Sequence, residues 1–130
     1  MGRAMRRTWT IPGVGRGSGV TEIRCVLDDE PIRVTMRGEV DLLTRPALDD
    51  LLALLARRTR ADVLVDLRPA TLLSCVGVSF LDAAAEQRAP WGGTVYVRVS
   101  PGPVARILEL LSVEDLVTIV HTSQDPGAPA

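Results

Sequence analysis

The sequence predicts an α/β domain: a mixed sheet of about five strands with its helices packed mainly on one face. Three observations point there. Apolar runs of strand length alternate with stretches whose Leu, Val and Ala recur at helical spacing. Two of the strand-like runs alternate strictly between apolar and polar residues, which a sheet covered by helices on both faces does not do. The chain has 130 residues, enough for one hydrophobic core and too few for two ordinary ones.

The elements follow in the order β-β-α-β-α-β-α-β. VTEIRCVL (20–27) is a strand with Ile23, Cys25 and Leu27 on one face. Asp28-Asp29-Glu30-Pro31 is a turn. IRVTMRG (32–38) returns antiparallel, with Ile32, Val34 and Met36 inward and Arg33, Thr35 and Arg37 outward. Thr44 is placed to cap a helix running to about Arg58, with Pro46 tolerated in its first turn. Leu48, Leu51, Leu52 and Leu55 form its apolar stripe. DVLVDL (62–67) is a buried strand. A second helix spans about Val76 to Arg88, with Val78, Leu81 and Ala85 on one face, and Pro90-Trp91-Gly92-Gly93 breaks it. TVYVRV (94–99) is a strand. Pro103 opens a third helix with Val104, Ile107, Leu108 and Leu111 inward, and LVTIVH (116–121) closes the fold. Strands separated by helices run parallel through crossover connections.

Residues 1–19 hold five glycines, a proline and four arginines without an acid, and are expected to be a mobile tail. SQDPGAPA (123–130) has the same character, which leaves 20–122 as the folded domain. The net charge of −1 lacks the basic stripe that supplies affinity for nucleic acid, so no nucleic-acid partner is expected. No apolar stretch approaches the roughly 18 residues of a spanning helix, and no apolar segment follows the N-terminal arginines, so a cytoplasmic, non-membrane protein is expected. Two cysteines, Cys25 and Cys75, make no disulfide framework and lack metal-ligand spacing; no metal or cofactor is expected.

TLLSCVGV (71–78) stands where a parallel strand hands over to its helix. Cys75 as a nucleophile would need a base, and the single histidine, His121, lies at the far end of the last strand. No glycine-rich phosphate loop, HExxH or GxSxG occurs, so the chain is not expected to be an enzyme. Ser74 is suited to capping the helix through its side-chain oxygen, and alternatively to accepting a phosphate. Gly38-Glu39-Val40-Asp41 also lies between a strand and a helix. The two turns are therefore expected at one edge of the sheet, with Asp41 either a local cap or part of an acidic rim. Arg33, Arg37 and Arg98 face outward, as a basic face for an anion or, with Glu22 and Arg24, as solvated cross-strand charge pairs. Cys25 falls on an apolar face and reads as core.

Two motifs together resemble the STAS domain of the anti-sigma factor antagonist type. GEVDLLTRPALDDLL is similar to that family's G-E-(L/V/I)-D-x-x-T-x-P-x-L segment, through Gly38, Glu39, Asp41, Thr44 and Pro46. VLVDLRPATLLSCVGVSFL resembles its second segment, through Asp66, Leu67 and Gly77. VARILELLSVEDLVTIV is similar to its third helix and last strand. The resemblance implies a protein that binds an anti-sigma factor, itself an ATP-binding serine kinase, and so frees a sigma factor by partner switching. It implies partner-binding residues at Glu39, Asp41, Thr44, Ser74, Cys75, Val76 and Gly77.

One departure bears directly on regulation. The family's Asp-Ser-Ser-Gly turn is here Ser74-Cys75-Val76-Gly77, so the phosphoacceptor position is Cys75 and Ser74 lies one residue out of register. In-line transfer tolerates a misplacement of about an ångström at most. The resemblance thus implies partner binding without the usual serine phospho-switch, with Ser74 as a substitute acceptor and Cys75 not phosphorylatable. Two alternatives stand beside it: a scaffold subunit that self-associates or joins other STAS proteins, and a variant in which oxidation of Cys75 replaces phosphate.

Overall fold

The computed structural model of the protein describes residues 5–13 and 19–121. Seven strands and three α-helices form the domain: β1 (Arg6–Pro12), β2 (Val20–Val26), β3 (Ile32–Val40), α1 (Arg45–Leu55), β4 (Val63–Asp66), β5 (Ala70–Leu73), α2 (Cys75–Arg88), β6 (Val95–Val99), α3 (Pro103–Leu110) and β7 (Thr118–His121). The sheet runs β1-β2-β3-β4-β6-β7, with β5 also paired to β3. β1–β2 and β2–β3 are antiparallel; β3–β4, β4–β6 and β6–β7 are parallel.

One face of the sheet is dry. Ile23 and Cys25 of β2, Val34 and Met36 of β3, Val63 and Val65 of β4, and Val95, Val97 and Val99 of β6 are buried, each alternating with a more polar or more exposed neighbour. Leu48, Leu51 and Leu55 of α1, Phe80, Leu81 and Ala84 of α2, and Val104 and Leu108 of α3 join them in one core cluster. Burying such side chains stabilises by about 1.5–3 kcal/mol each before entropy is counted, which is why the period-2 and period-3.6 patterns dictate these elements.

Two strands depart from the sequence expectation, so the sheet has seven strands rather than about five. The first corrects the mobile tail assigned to residues 1–19. Arg6–Pro12 pairs along its whole length with β2, Arg6 opposite Val26 through Pro12 opposite Val20. Trp9 and Ile11, two residues apart, pack against the core, and Arg7 reaches Asp50 of α1 at 4.0 Å. The second is β5, four residues that read as part of a turn. Residues 1–4 and 14–18, and the C-terminal tail expected at 123–130, lie outside the described residues. Leu111, expected inward, is exposed, as is Leu110, because α3 ends there.

Arg88, at the end of α2, is fully buried. Its guanidinium donates to the carbonyls of Leu55, Arg58 and Ala61 and to Oε1 of Gln87. Leu55 and Arg58 end α1 and the tight turn after it, where orphan carbonyls and the negative pole of the helix favour a cation. Burial pushes the Arg88 pKa below its ordinary value, against which the nearby Asp62 charge acts. This side chain ties α2 to the end of α1 and to the chain entering β4.

On the open face, burial pushes the Asp66 carboxyl up, but hydrogen bonds and charge from Arg68, with charge from Arg98, leave its pKa below 3.8. Arg24 pairs with Glu22 on its own strand at 3.1 Å, and Arg33 with Asp29 at 3.6 Å. On β2 and β3 these ion pairs are local rather than across strands, and Arg37, although opposite Glu22 in register, is not its ion-pair partner. Asp66 and Arg98, opposite one another on β4 and β6, do interact through charge across strands. Arg98 keeps a buried Nε without a hydrogen-bond acceptor.

Two outcomes are expected. Arg88→Met leaves three backbone carbonyls without their donor and should lower unfolding free energy by about 2–4 kcal/mol in urea titrations. Because the folded pKa of Asp66 is depressed, its stabilising contribution is complete well above pH 3.8 and is lost as pH falls through the folded value. Asp66→Asn should therefore be less stable than the parent at neutral pH and show a shallower loss of stability on acidification.

Candidate functional site

Along its first half β3 pairs with β4, from Ile32 opposite Val63 to Thr35 opposite Asp66. Beyond Gly38 the partner changes to β5, with Glu39 opposite Leu72 and Val40 opposite Leu73 after a register shift. Gly38 sits at φ +89°, and a Cβ there would lie 2.9 Å from the Val20 carbonyl oxygen. Only glycine meets both demands. This irregularity swings the end of β3 onto β5, and the Ser74 amide donates to the Val40 carbonyl at 2.9 Å. The two turns singled out in the sequence thus meet at the C-terminal edge of the sheet.

Ser74 caps α2: its Oγ accepts from the Val76 amide at 3.3 Å, while its carbonyl accepts from Gly77 and Val78. Cys75 is the first residue of α2 and is exposed. Asp41 is half-buried and also caps, its Oδ1 accepting from Leu43 at 3.0 Å. Glu39 is exposed on the edge. Val76 is half-buried.

Thr44 and Gly77, expected among the partner-binding residues, are buried beneath the edge rather than on its surface. Thr44 is fully buried, and its hydroxyl donates backwards to the Asp41 carbonyl at 2.6 Å. It makes no side-chain cap to α1 either; that function at this turn falls to Asp41. Gly77 is buried where α2 crosses β5 and β3: an added Cβ would lie 2.2 Å from Leu73 Cδ1 and 3.1 Å from Val40 Cγ1. Both residues shape the edge from below.

Leu42, Leu43 and Leu72 are the residues that the sequence reading overlooked. Leu42 is 68% exposed, and Leu43 and Leu72 are also exposed. Leu42 and Leu43 lie in the tight turn after β3, and Leu72 faces Glu39 in register. A signal existed: the apolar stripe of α1 extrapolates back from Leu48 through Thr44, so Leu42 and Leu43 fall off it and have no place in the core. Beside them a groove of about 280 Å³ runs between α1 and α2, lined chiefly by Leu48, Leu52, Val76, Phe80 and Ala83, with Cys75 and Arg45 at its walls. Exposed leucines rimmed by Glu39 and Asp41, next to an apolar groove, are features of a protein-docking surface.

His121 ends β7, three strand positions from β3 and so roughly 14 Å away across the sheet. Cys25 is buried, and loss of solvation pushes its thiol up to about 11, partly offset by the charge of Arg88. Among the described residues no His, Cys, Asp and Glu cluster could hold a metal ion, and no helix is long and apolar enough to cross a membrane.

The family model described as "Mlab, STAS domain" matches residues 23–118. Among solved structures, the chain is similar to an anti-sigma factor antagonist from Mycobacterium paratuberculosis, at 20% identity and a TM-score of 0.64. That likeness covers 93% of this chain and 89% of that one. It is also similar to a protein of Thermotoga maritima described as a candidate anti-sigma factor antagonist, at 15% identity and a TM-score of 0.57, over 68% of this chain and 78% of that one.

Gly77→Ala should cost about 1–3 kcal/mol of stability, since Leu73 must leave its packed position. Combined with Leu73→Ala, the loss should be smaller than the sum of the two single losses. Strict additivity in denaturant titrations would mean that the close approach at Gly77 is not what the glycine serves.

Proposed function

The chain belongs to the STAS domain family, and from that premise we propose that it is an anti-sigma factor antagonist acting by binding rather than by catalysis. Its partner is an anti-sigma factor of the ATP-binding serine kinase type, captured in the cytoplasm, and capture releases a sigma factor to transcription. The observation that carries this reading is the edge where β3, β5 and α2 meet: exposed Leu42, Leu43 and Leu72 beside Glu39 and Cys75. Exposed leucines cost solvation in the free protein, and a partner that covers them recovers about 25 cal/mol for each Å² buried.

The usual phospho-switch is lost in this reading. In the family's turn the acceptor serine stands where this chain has Cys75, and a thiol is not a substrate for serine kinases. Ser74 is one residue earlier, and its oxygen is already engaged with the Val76 amide at the helix cap. A phosphate at Ser74 would replace that cap, whereas one at the family position would project from an intact helix start. The protein therefore binds its partner without being released by phosphorylation.

Purified protein mixed with the ATP-binding anti-sigma kinases of its own genome should form a complex with one of them that persists after ATP is added, with no mass increase of the antagonist. Leu42→Asp with Leu72→Asp should weaken that complex by about 100-fold or more, the cost of a charge placed in a desolvated contact. Failure to bind any candidate kinase would sink the proposal. Phosphate found on Ser74 by intact-mass and fragment analysis would sink the loss of the switch while leaving the docking edge standing. Cys75→Ser should restore phosphorylation by the cognate kinase.

A further inference from the structure

At the opposite end of the sheet, Arg57, Arg58, Arg60 and Trp91 line an open depression of about 750 Å³ whose acidic members are Glu30 and Asp62. These residues precede β4 and β6, so they lie at the N-terminal ends of the parallel strands. The eight residue steps of β3, from Ile32 beside Asp62 to Val40 beside Ser74, put the two ends roughly 26 Å apart.

The charges in the depression do not cancel. Glu30 is engaged by Arg58 at 3.5 Å, and Asp62 accepts from the Thr94 amide at 2.8 Å. Neither Arg57 nor Arg60 has a carboxylate in ion-pair contact among the described residues. Three guanidinium groups therefore line the depression with two carboxylates, while Arg88, bonded to the Arg58 and Ala61 carbonyls, is buried and not part of the lining. The helix C-terminus accounts for Arg57 and Arg58 by its negative pole. It does not account for Arg60, whose guanidinium lies 5.2 Å from the ring centroid of Trp91, or for an indole left 53% exposed. Arginine and tryptophan together are the residue types on which binding energy concentrates at protein interfaces.

We propose that this depression binds an acidic peptide segment of a second partner, whose carboxylates sit on Arg57 and Arg60 while an apolar side chain lies against Trp91. The depression is wide and shallow rather than enclosed, which suits an extended chain better than a small molecule that must be mostly buried. Excess positive charge selects an acidic segment and speeds its encounter. The site is independent of the β3–β5 edge, and its separation from that edge lets both be occupied together. The domain then bridges two proteins, one at each end of its sheet.

The intact protein is titrated with a short synthetic Glu/Leu peptide, followed by tryptophan fluorescence and by calorimetry. Saturable binding is expected, and raising ionic strength from about 0.1 M to about 1 M, which shortens the Debye length from about 10 Å to about 3 Å, should weaken it several-fold. Arg57→Gln with Arg60→Gln, both at exposed positions, should weaken it by about tenfold or more, with only a small loss of stability from the helix end and the Trp91 contact. Trp91→Phe should abolish the fluorescence change. The proposal is overturned if no saturable binding is found, if a Gln/Leu peptide binds equally well, or if the double variant binds as the parent does. It is overturned as well if inorganic phosphate alone reproduces the response.

Discussion

The change of partner along β3 is the constraint on which the edge depends. A strand has one hydrogen-bonding edge on each side, and β3 gives one to β2 while dividing the other between β4 and β5. That division requires an irregularity, and it falls at Gly38, whose positive φ and close approach to Val20 exclude a side chain. Once β5 is held against Glu39 and Val40, the Ser74 amide bonds to the Val40 carbonyl and α2 must start beside Asp41. The edge proposed for docking is thus a consequence of backbone pairing, and the side chains displayed on it can change without moving it.

The other end of α2 is held by different means. Arg88 is buried with donors to three backbone carbonyls and no direct carboxylate partner, an arrangement that satisfies the guanidinium while closing the end of α1. Gly77 at the start of α2 and Arg88 at its end therefore fix one helix at two points. Along the helix, Phe80, Leu81 and Ala84 face the core, and Val76, Phe80 and Ala83 border the groove against α1. A helix anchored in this way presents the groove and Cys75 as parts of one rigid surface.

Most of the fold was legible because its patterns are long and redundant. The β2–β3 hairpin has three inward apolar residues per strand, and α1 has four leucines on one stripe. β1 was missed although Arg7, Trp9 and Ile11 alternate, because glycines surround the run and its pairing is non-local: nothing within residues 6–12 says that β2 has a free edge. β5 was missed because four residues are too few for a period to register. At the site, the meeting of the two turns could be inferred from strand order, but exposure could not. Thr44 and Gly77 stand within motifs that also hold the exposed Glu39 and Cys75, and motif membership does not separate a residue that touches a partner from one that supports the surface. Leu42 and Leu43 showed the converse: apolar residues outside the core stripe pointed to a surface role that residue type alone had hidden.

In the proposed reading, the helix cap explains how the turn could survive the exchange of its acceptor. An N-cap needs a short side chain with an oxygen that can reach the second or third amide, and aspartate and serine meet that need about equally well. Ser74 in place of the family's aspartate therefore keeps the geometry of α2, as its bond to the Val76 amide displays. The next position carries no such demand. A side chain at the first helical residue points to solvent, so serine can become Cys75 at little cost to the fold, and Val76 can follow by filling the groove wall. Gly77 cannot be exchanged on those terms, because Leu73 and Val40 occupy the space a Cβ would take. The turn thus separates into residues held by the fold, Ser74 and Gly77, and an exposed residue that the fold does not constrain, Cys75.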